Sequence, residues 1–293
     1  MLLRILDILL PIFFIVALSY AYARWRGVDM RIPNRLNMEI FIPALLFSVL
    51  AQHRFQADNE LYLGLGCILV IFGCGLISWL VAWLWQIDSR TLLTPMMFKN
   101  AANMGIPVQV LAFGSEHLST AVLLFVLTNV LHFTLGAYLF SRRTDWQDLL
   151  RTPMIPATLL GVAVSLWQVP LPATLLTSLE MLGQMAVPLM LVGLGVRLME
   201  VDFKLWRIGL LGGILSPLAG LAIGLLLVQI LPLDKTQVGM LLLYSALPPA
   251  VINYMLADHY QQQPQLVASM VLLGNLLTLV TLPLALWLAL PPV

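Results

Sequence analysis

Charge is scarce in this chain: only 10% of its 293 residues are Asp, Glu, Lys or Arg, against roughly 25% in soluble domains. That shortage excludes a solvent-facing globular enzyme and most cytosolic binding modules. An excess of either sign is missing too, because 15 basic and 14 acidic residues leave a net charge of +1. So weak a bulk field draws in neither nucleic acid nor an anionic surface. Cysteine is limited to Cys67 and Cys74, which share one apolar run and build neither a disulfide framework nor a metal site. The sequence holds no His-Glu-x-x-His, Gly-x-Ser-x-Gly or Gly-x-x-x-x-Gly-Lys-Ser/Thr motif, so the chemistries carried by those spacings have no footing. The expectation is a non-enzyme with no cofactor and no metal.

What is abundant is apolar sequence: 60% of residues are hydrophobic and the mean hydropathy is +0.94. A bilayer core about 30 Å thick needs about 20 such residues per helix. Ten runs of suitable length fall near 4–25, 34–51, 61–85, 91–113, 116–141, 152–169, 173–198, 204–231, 235–259 and 264–290. The first lacks a signal peptide's charged start and cleavage pattern, so it is expected to be a retained span. Backbone polar groups in lipid must be satisfied internally, and runs this long do so as helices. If the spans alternate, the loops after odd-numbered spans carry eleven basic residues, among them Arg31, Arg35, Arg90, Arg142, Arg143, Arg151, Arg197 and Lys204. The opposite side carries three, Arg4, Arg54 and Lys235. This bias predicts that both termini face away from the cytoplasm.

A recurring offset points to internal duplication. Pro11 and Pro156 are 145 residues apart, as are Pro43 and Pro188, and Asn129 and Asn275 are 146 apart. Five spans per half is an odd number, so the second copy must enter the membrane inverted, a common build among secondary transporters. The halves are expected at 1–146 and 147–293.

In such folds the site lies where matching helices break near the midplane. Span 4 reads Lys99-Asn100-Ala101-Ala102-Asn103-Met104-Gly105-Ile106-Pro107, and span 9 carries Pro248-Pro249 and Asn253. Proline lacks the amide for the helix ladder and glycine tolerates unwound backbone, so Gly105, Pro107, Pro248 and Pro249 are the expected break points. Broken ends expose amides that suit a carboxylate and carbonyls that suit a cation. Asn100, Asn103 and Asn253 add hydrogen-bonding groups without charge, either for a ligand or as caps on the broken ends. Lys99 is a charge at the middle of a span, which costs about 2.5–3.5 kcal/mol on insertion scales. Its alternatives are a counter-charge for an anionic substrate, an end that snorkels, or a distant carboxylate partner. Asn129 joins the candidates through its mate Asn275. Glu39 and Asp7 read as interfacial and His132 as a packed polar residue.

The stretch Asn100 to Pro107 resembles the span-4 motif of the auxin efflux carrier (PIN-like) family, in which an Asn precedes Met-Gly-Ile-Pro by the same spacing. Ala246-Leu247-Pro248 through Ala257, Tyr260 and Pro264, then Gly274 and Pro283, resemble that family's last two spans. The likeness covers nearly the whole chain. It implies an all-α integral membrane fold of ten helices in two inverted five-helix repeats. Spans 1, 2, 6 and 7 would form a scaffold, and spans 3–5 and 8–10 a mobile unit. Spans 4 and 9 would cross at their prolines. It also implies that Asn100 binds a substrate carboxylate and that Asn129 lies near the site. Lys99 before that Asn, and the lack of a long cytoplasmic loop, depart from the plant pattern. Small bacterial-type members resemble malonate and malate permeases. The resulting expectation is an elevator-type carrier of a small organic anion in the bacterial plasma membrane, with a proton or sodium ion as coupling partner. A cation antiporter or a transport-inactive sensor stands as the alternative, and a homodimer is left open.

Overall fold

The computed structural model describes residues 2–52, 57–141, 153–200 and 205–290. Arg54, Arg142, Arg143, Arg151 and Lys204, which enter the charge count above, lie outside the described residues. Among those residues the chain is helical and no β-strand forms. In order the helices are α1 (Leu2–Arg26), α2 (Arg31–Gln52), α3 (Glu60–Trp85), α4 (Ser89–Met97), α5 (Ala101–Phe113), α6 (Ser115–Phe140), α7 (Met154–Leu166) and α8 (Ala173–Arg197). They continue as α9 (Trp206–Ile230), α10 (Lys235–Ser245), α11 (Ile252–His259) and α12 (Pro264–Ala289). Seven of them, each 22 to 26 residues long with mean hydropathy from 1.2 to 2.4, are long and apolar enough to cross a membrane. Helix α7 is shorter than its apolar run predicts, because Trp167 and Gln168 turn the chain and Pro170 and Pro172 follow.

Local chemistry sets the ends of the interrupted helices. Asp88 caps α4 by accepting from the Arg90 amide, and Asp234 with Gln237 forms a reciprocal capping box at the start of α10. Such caps satisfy amides that a helix start would otherwise leave orphaned. Helix α12 begins at Pro264, whose missing amide costs nothing in the first turn. Three π-turns interrupt the α-helical ladder, at Asn37–Phe41, Ala101–Gly105 and His132–Gly136. Single π-turns of this kind mark functional sites more often than chance.

Packing divides the helices into two groups. Helix α2 lies against α7 and α8, and α1 against α8. Helix α9 runs along α12 and also packs on α3, α4 and α10, while α3 contacts α4 and α6. The α9–α12 contact is close because both sides are bare: a Cβ on Gly213 would lie 2.9 Å from the Gly274 Cα. Large apolar side chains such as Leu10, Phe14, Trp83 and Leu226 remain exposed, as expected for helices whose solvent is hydrocarbon rather than water.

Candidate functional site

Two chain breaks meet in the interior. Helix α4 ends at Met97 and α10 at Ser245, and the segments after them pair as a single antiparallel bridge between Lys99 and Pro249. The Asn100 amide donates to the Pro248 carbonyl at 2.8 Å, and the Ala250 amide donates to the Phe98 carbonyl at 2.9 Å. Each break therefore satisfies the other's exposed backbone, which lipid could not do. The crossing is tight: a Cβ on Gly105 would come within 2.8 Å of Leu247.

The first break is not centred where sequence placed it. The extended crossing lies at residues 98–100, Gly105 closes the π-turn, and Pro107 sits in the first turn of the α-helical part of α5. The π-turn just before it accommodates the proline: the ladder there already runs in wide steps, with the Ile106 amide donating to the Ala101 carbonyl. In the second break, Pro248 and Pro249 lie within the crossing itself.

Side-chain amides lock the crossing. Asn253 Nδ2 donates to the Phe98 carbonyl at 3.1 Å and to the Ala250 carbonyl at 3.0 Å. Asn100 Nδ2 donates to Asn275 Oδ1 at 2.7 Å, and Asn275 Nδ2 donates to the Pro249 and Val271 carbonyls at 3.1 and 2.7 Å. All three asparagines are buried. Asn275 was visible in sequence only through its offset from Asn129. His132, fully enclosed, stacks on Phe98 with ring centroids 4.3 Å apart.

Lys99 is 1% exposed. Its Nζ donates to the Ser216 carbonyl at 2.6 Å and to the Ser216 hydroxyl at 2.8 Å, both on α9. It neither snorkels to an interface nor reaches a carboxylate among the described residues.

The cavity beside the crossing is lined by different residues. A void of about 90 Å³ is bounded by Asn103, Asn129 and Ile252 on one side and by Asn34, Asn37, Met190 and Arg197 on the other. The Asn129 amide makes only a 3.4 Å contact to Met154 Sδ, and Asn37 Oδ1 is buried with no hydrogen-bond partner. Asn34, Met38, Arg197 and Met255 also line a vestibule of about 790 Å³, so the two spaces abut. Asp29, Arg31, Arg35 and Glu39 stand around that vestibule. At the other end of the bundle, Glu116 and Glu180 line a separate hollow of about 590 Å³. The Asp29 carboxyl is held below the usual carboxylate range by hydrogen bonds from the Arg31 side chain and amide.

The sequence-derived candidates thus fall into three places. Asn103 and Asn129 face the cavity, Asn100 and Asn253 tie the crossing, and Lys99 is turned into α9. Sequence reasoning did not single out Arg197, Asn34 or Asn37, which come from α2 and α8 and meet the crossing only through the fold.

Comparison with known proteins identifies the chain as one of a family of membrane transporters. Residues 5–149 and 139–286 match the family described as membrane transport protein. An uncharacterized transporter of Methanothermobacter thermautotrophicus is 29% identical over 273 residues, covering 86% of each chain. A second uncharacterized transporter, from Methanocaldococcus jannaschii, is 22% identical over 306 residues, covering 96% of this chain and 97% of its own. The chain is an integral membrane protein and belongs to the membrane transport protein family, that of the auxin efflux carriers.

Proposed function

We propose that this protein is a secondary active carrier that moves a small organic anion, a mono- or dicarboxylate, by elevator-type alternating access. Taking α4 with α5, and α10 with α11, as one interrupted crossing each gives ten crossings, arranged as two inverted repeats over 1–146 and 147–293. Helices α1, α2, α7 and α8 form the scaffold, and the others form the unit that slides. The Lys/Arg bias puts the arginine-lined vestibule on the cytoplasmic side and both termini outside.

The observation that carries this reading is the position of the inner cavity. Its walls come from both packing groups, with Asn34 and Asn37 on α2 facing Asn103 and Asn129 on the crossing side. A ligand held there would be uncovered at one end or the other by a slide along that seam. Asparagine amides bind carboxylate oxygens without adding charge to the membrane interior. Among the described residues no carboxylate lines the inner cavity, so a cation antiporter would lack its usual ligand there.

The test is uptake of labelled malonate, malate, oxalate and indole-3-acetate into proteoliposomes, with and without proton and sodium gradients. Saturable uptake that Asn103→Ala or Asn129→Ala impairs, with the melting temperature retained, is the expected result. Absence of flux for every acid under every gradient would overturn the carrier reading.

A further inference from the structure

We infer that Arg197 is the counter-charge for the transported anion and that the site accepts a singly charged carboxylate. The inference rests on the carrier reading above and assigns charge within the same cavity.

Among the described residues, the charges lining the two connected spaces cancel except at one residue. Arg31 is paired with Asp29 at 2.7 Å, and Arg35 with Glu39 at 2.9 Å. Tyr254 is the remaining titratable group on the vestibule wall. Arg197 lines both the vestibule and the inner cavity, and among the described residues it has no hydrogen-bond or ion-pair partner. Lys99, the other cation near the crossing, is occupied by Ser216 and faces neither space. The inner cavity therefore holds one uncompensated positive charge together with the amides of Asn34, Asn37, Asn103 and Asn129.

One guanidinium neutralises one carboxylate, and its planar fork of donors matches the two carboxylate oxygens. A dianion would carry a second, unneutralised charge into a space walled by apolar helices, where the cost of such a charge is high. Asn37 Oδ1, buried and unpartnered, suits a hydroxyl or a protonated carboxyl group on the same ligand. The competing explanation is that Arg197 merely offsets the dipole at the C-terminal end of α8. That role would influence stability and leave anion affinity untouched.

The experiment measures transport and equilibrium binding of labelled lactate and malonate in wild-type protein, Arg197→Gln, Arg197→Lys and Lys99→Met, across a pH range spanning the second ionisation of malonate. The expected results are stronger malonate binding as it becomes singly charged, lactate binding that stays level, and a KM for both acids raised about tenfold or more in Arg197→Gln, as for loss of a charge-assisted hydrogen bond. Arg197→Lys should recover part of that loss, and Lys99→Met should leave the pH pattern unchanged. Unaltered KM in Arg197→Gln, or tighter binding of the malonate dianion, would overturn the inference while leaving the carrier reading intact. If neither acid binds while another acid is carried, this assignment fails alone; if no acid binds or moves in wild-type protein at any pH or gradient, the carrier reading itself fails and takes this assignment with it.

Discussion

Lys99 and Pro249 face each other across an antiparallel bridge, 150 residues apart in sequence, where two interrupted helices cross. The polar candidates near that crossing serve three roles: Asn100 and Asn253 hold the two breaks together, Asn103 and Asn129 face the cavity beside them, and Lys99 is anchored on α9. The distinction produces opposite expectations for residues a few positions apart.

Asn253→Ala should damage the fold. Its side chain supplies hydrogen bonds to the Phe98 and Ala250 carbonyls in a buried setting. Leaving buried polar groups unsatisfied costs about 1–3 kcal/mol. A lower melting temperature of the purified protein, together with reduced transport at saturating substrate, is the expected outcome. Asn103→Ala should instead raise KM with little change in melting temperature, because Asn103 faces the cavity.

Lys99→Met should leave the KM for a transported anion within about twofold of wild type, a shift well under the factor of ten that 1.4 kcal/mol represents. The Lys99 amine is engaged by Ser216 on α9 and lines no part of the cavity. Substrate competition curves on the purified variant check this, and a loss of affinity as large as that of a cavity residue would assign Lys99 to the substrate instead.

Asp88 should act as a pH-dependent clamp between α4 and the turn after α11. Burial opposes its ionisation, yet hydrogen bonds from the Arg90 amide, Gln262 Nε2 and the Arg90 side chain together hold its carboxyl below the usual carboxylate range. A carboxyl depressed in the folded protein adds stability that is present above its unfolded value, 3.8, and is lost as pH falls through the lower folded value. The melting-temperature gap between wild type and Asp88→Asn should therefore be constant near neutral pH and shrink as the solution is acidified below that range. A gap that is unchanged at low pH would show that the charge on Asp88 contributes nothing.

The two ends of the bundle should differ in how they admit an anion. Among the described residues, Arg197 is the unpaired charge at one mouth, whereas Glu116 and Glu180 line the hollow at the other. Fixed charge at a cleft mouth changes encounter rates and is screened by salt. Uptake into proteoliposomes of defined orientation should show a lower apparent KM from the arginine end, with the difference narrowing as ionic strength rises. Equal KM values at low salt would contradict it.

Much of the architecture was legible because lipid imposes it. Long apolar runs must become helices, and the double proline at Pro248-Pro249 cannot stay within one. The first break was misplaced because Pro107 looks like a breaker in sequence but follows a π-turn that carries the helix past it. Asn129 and Asn275, near mates in sequence, do different work, one at the cavity and one bridging Asn100 to Pro249. The partner of Lys99 lies 117 residues away on another helix, and no local pattern could name it. Arg197 read as one loop cation among many until the fold paired Arg31 and Arg35 and left it without a partner among the described residues.

The most direct test of the central claim uses the protein's own cysteines as silent background, since Cys67 and Cys74 are both fully buried. In Asn103→Cys, a membrane-impermeant thiol reagent should react from the arginine-lined end, and a transported carboxylate should slow that reaction. Asn100→Cys, engaged inside the crossing, should remain unreactive. Reaction at Asn100→Cys that the anion blocks, with none at Asn103→Cys, would contradict the account and return the substrate to the crossing itself.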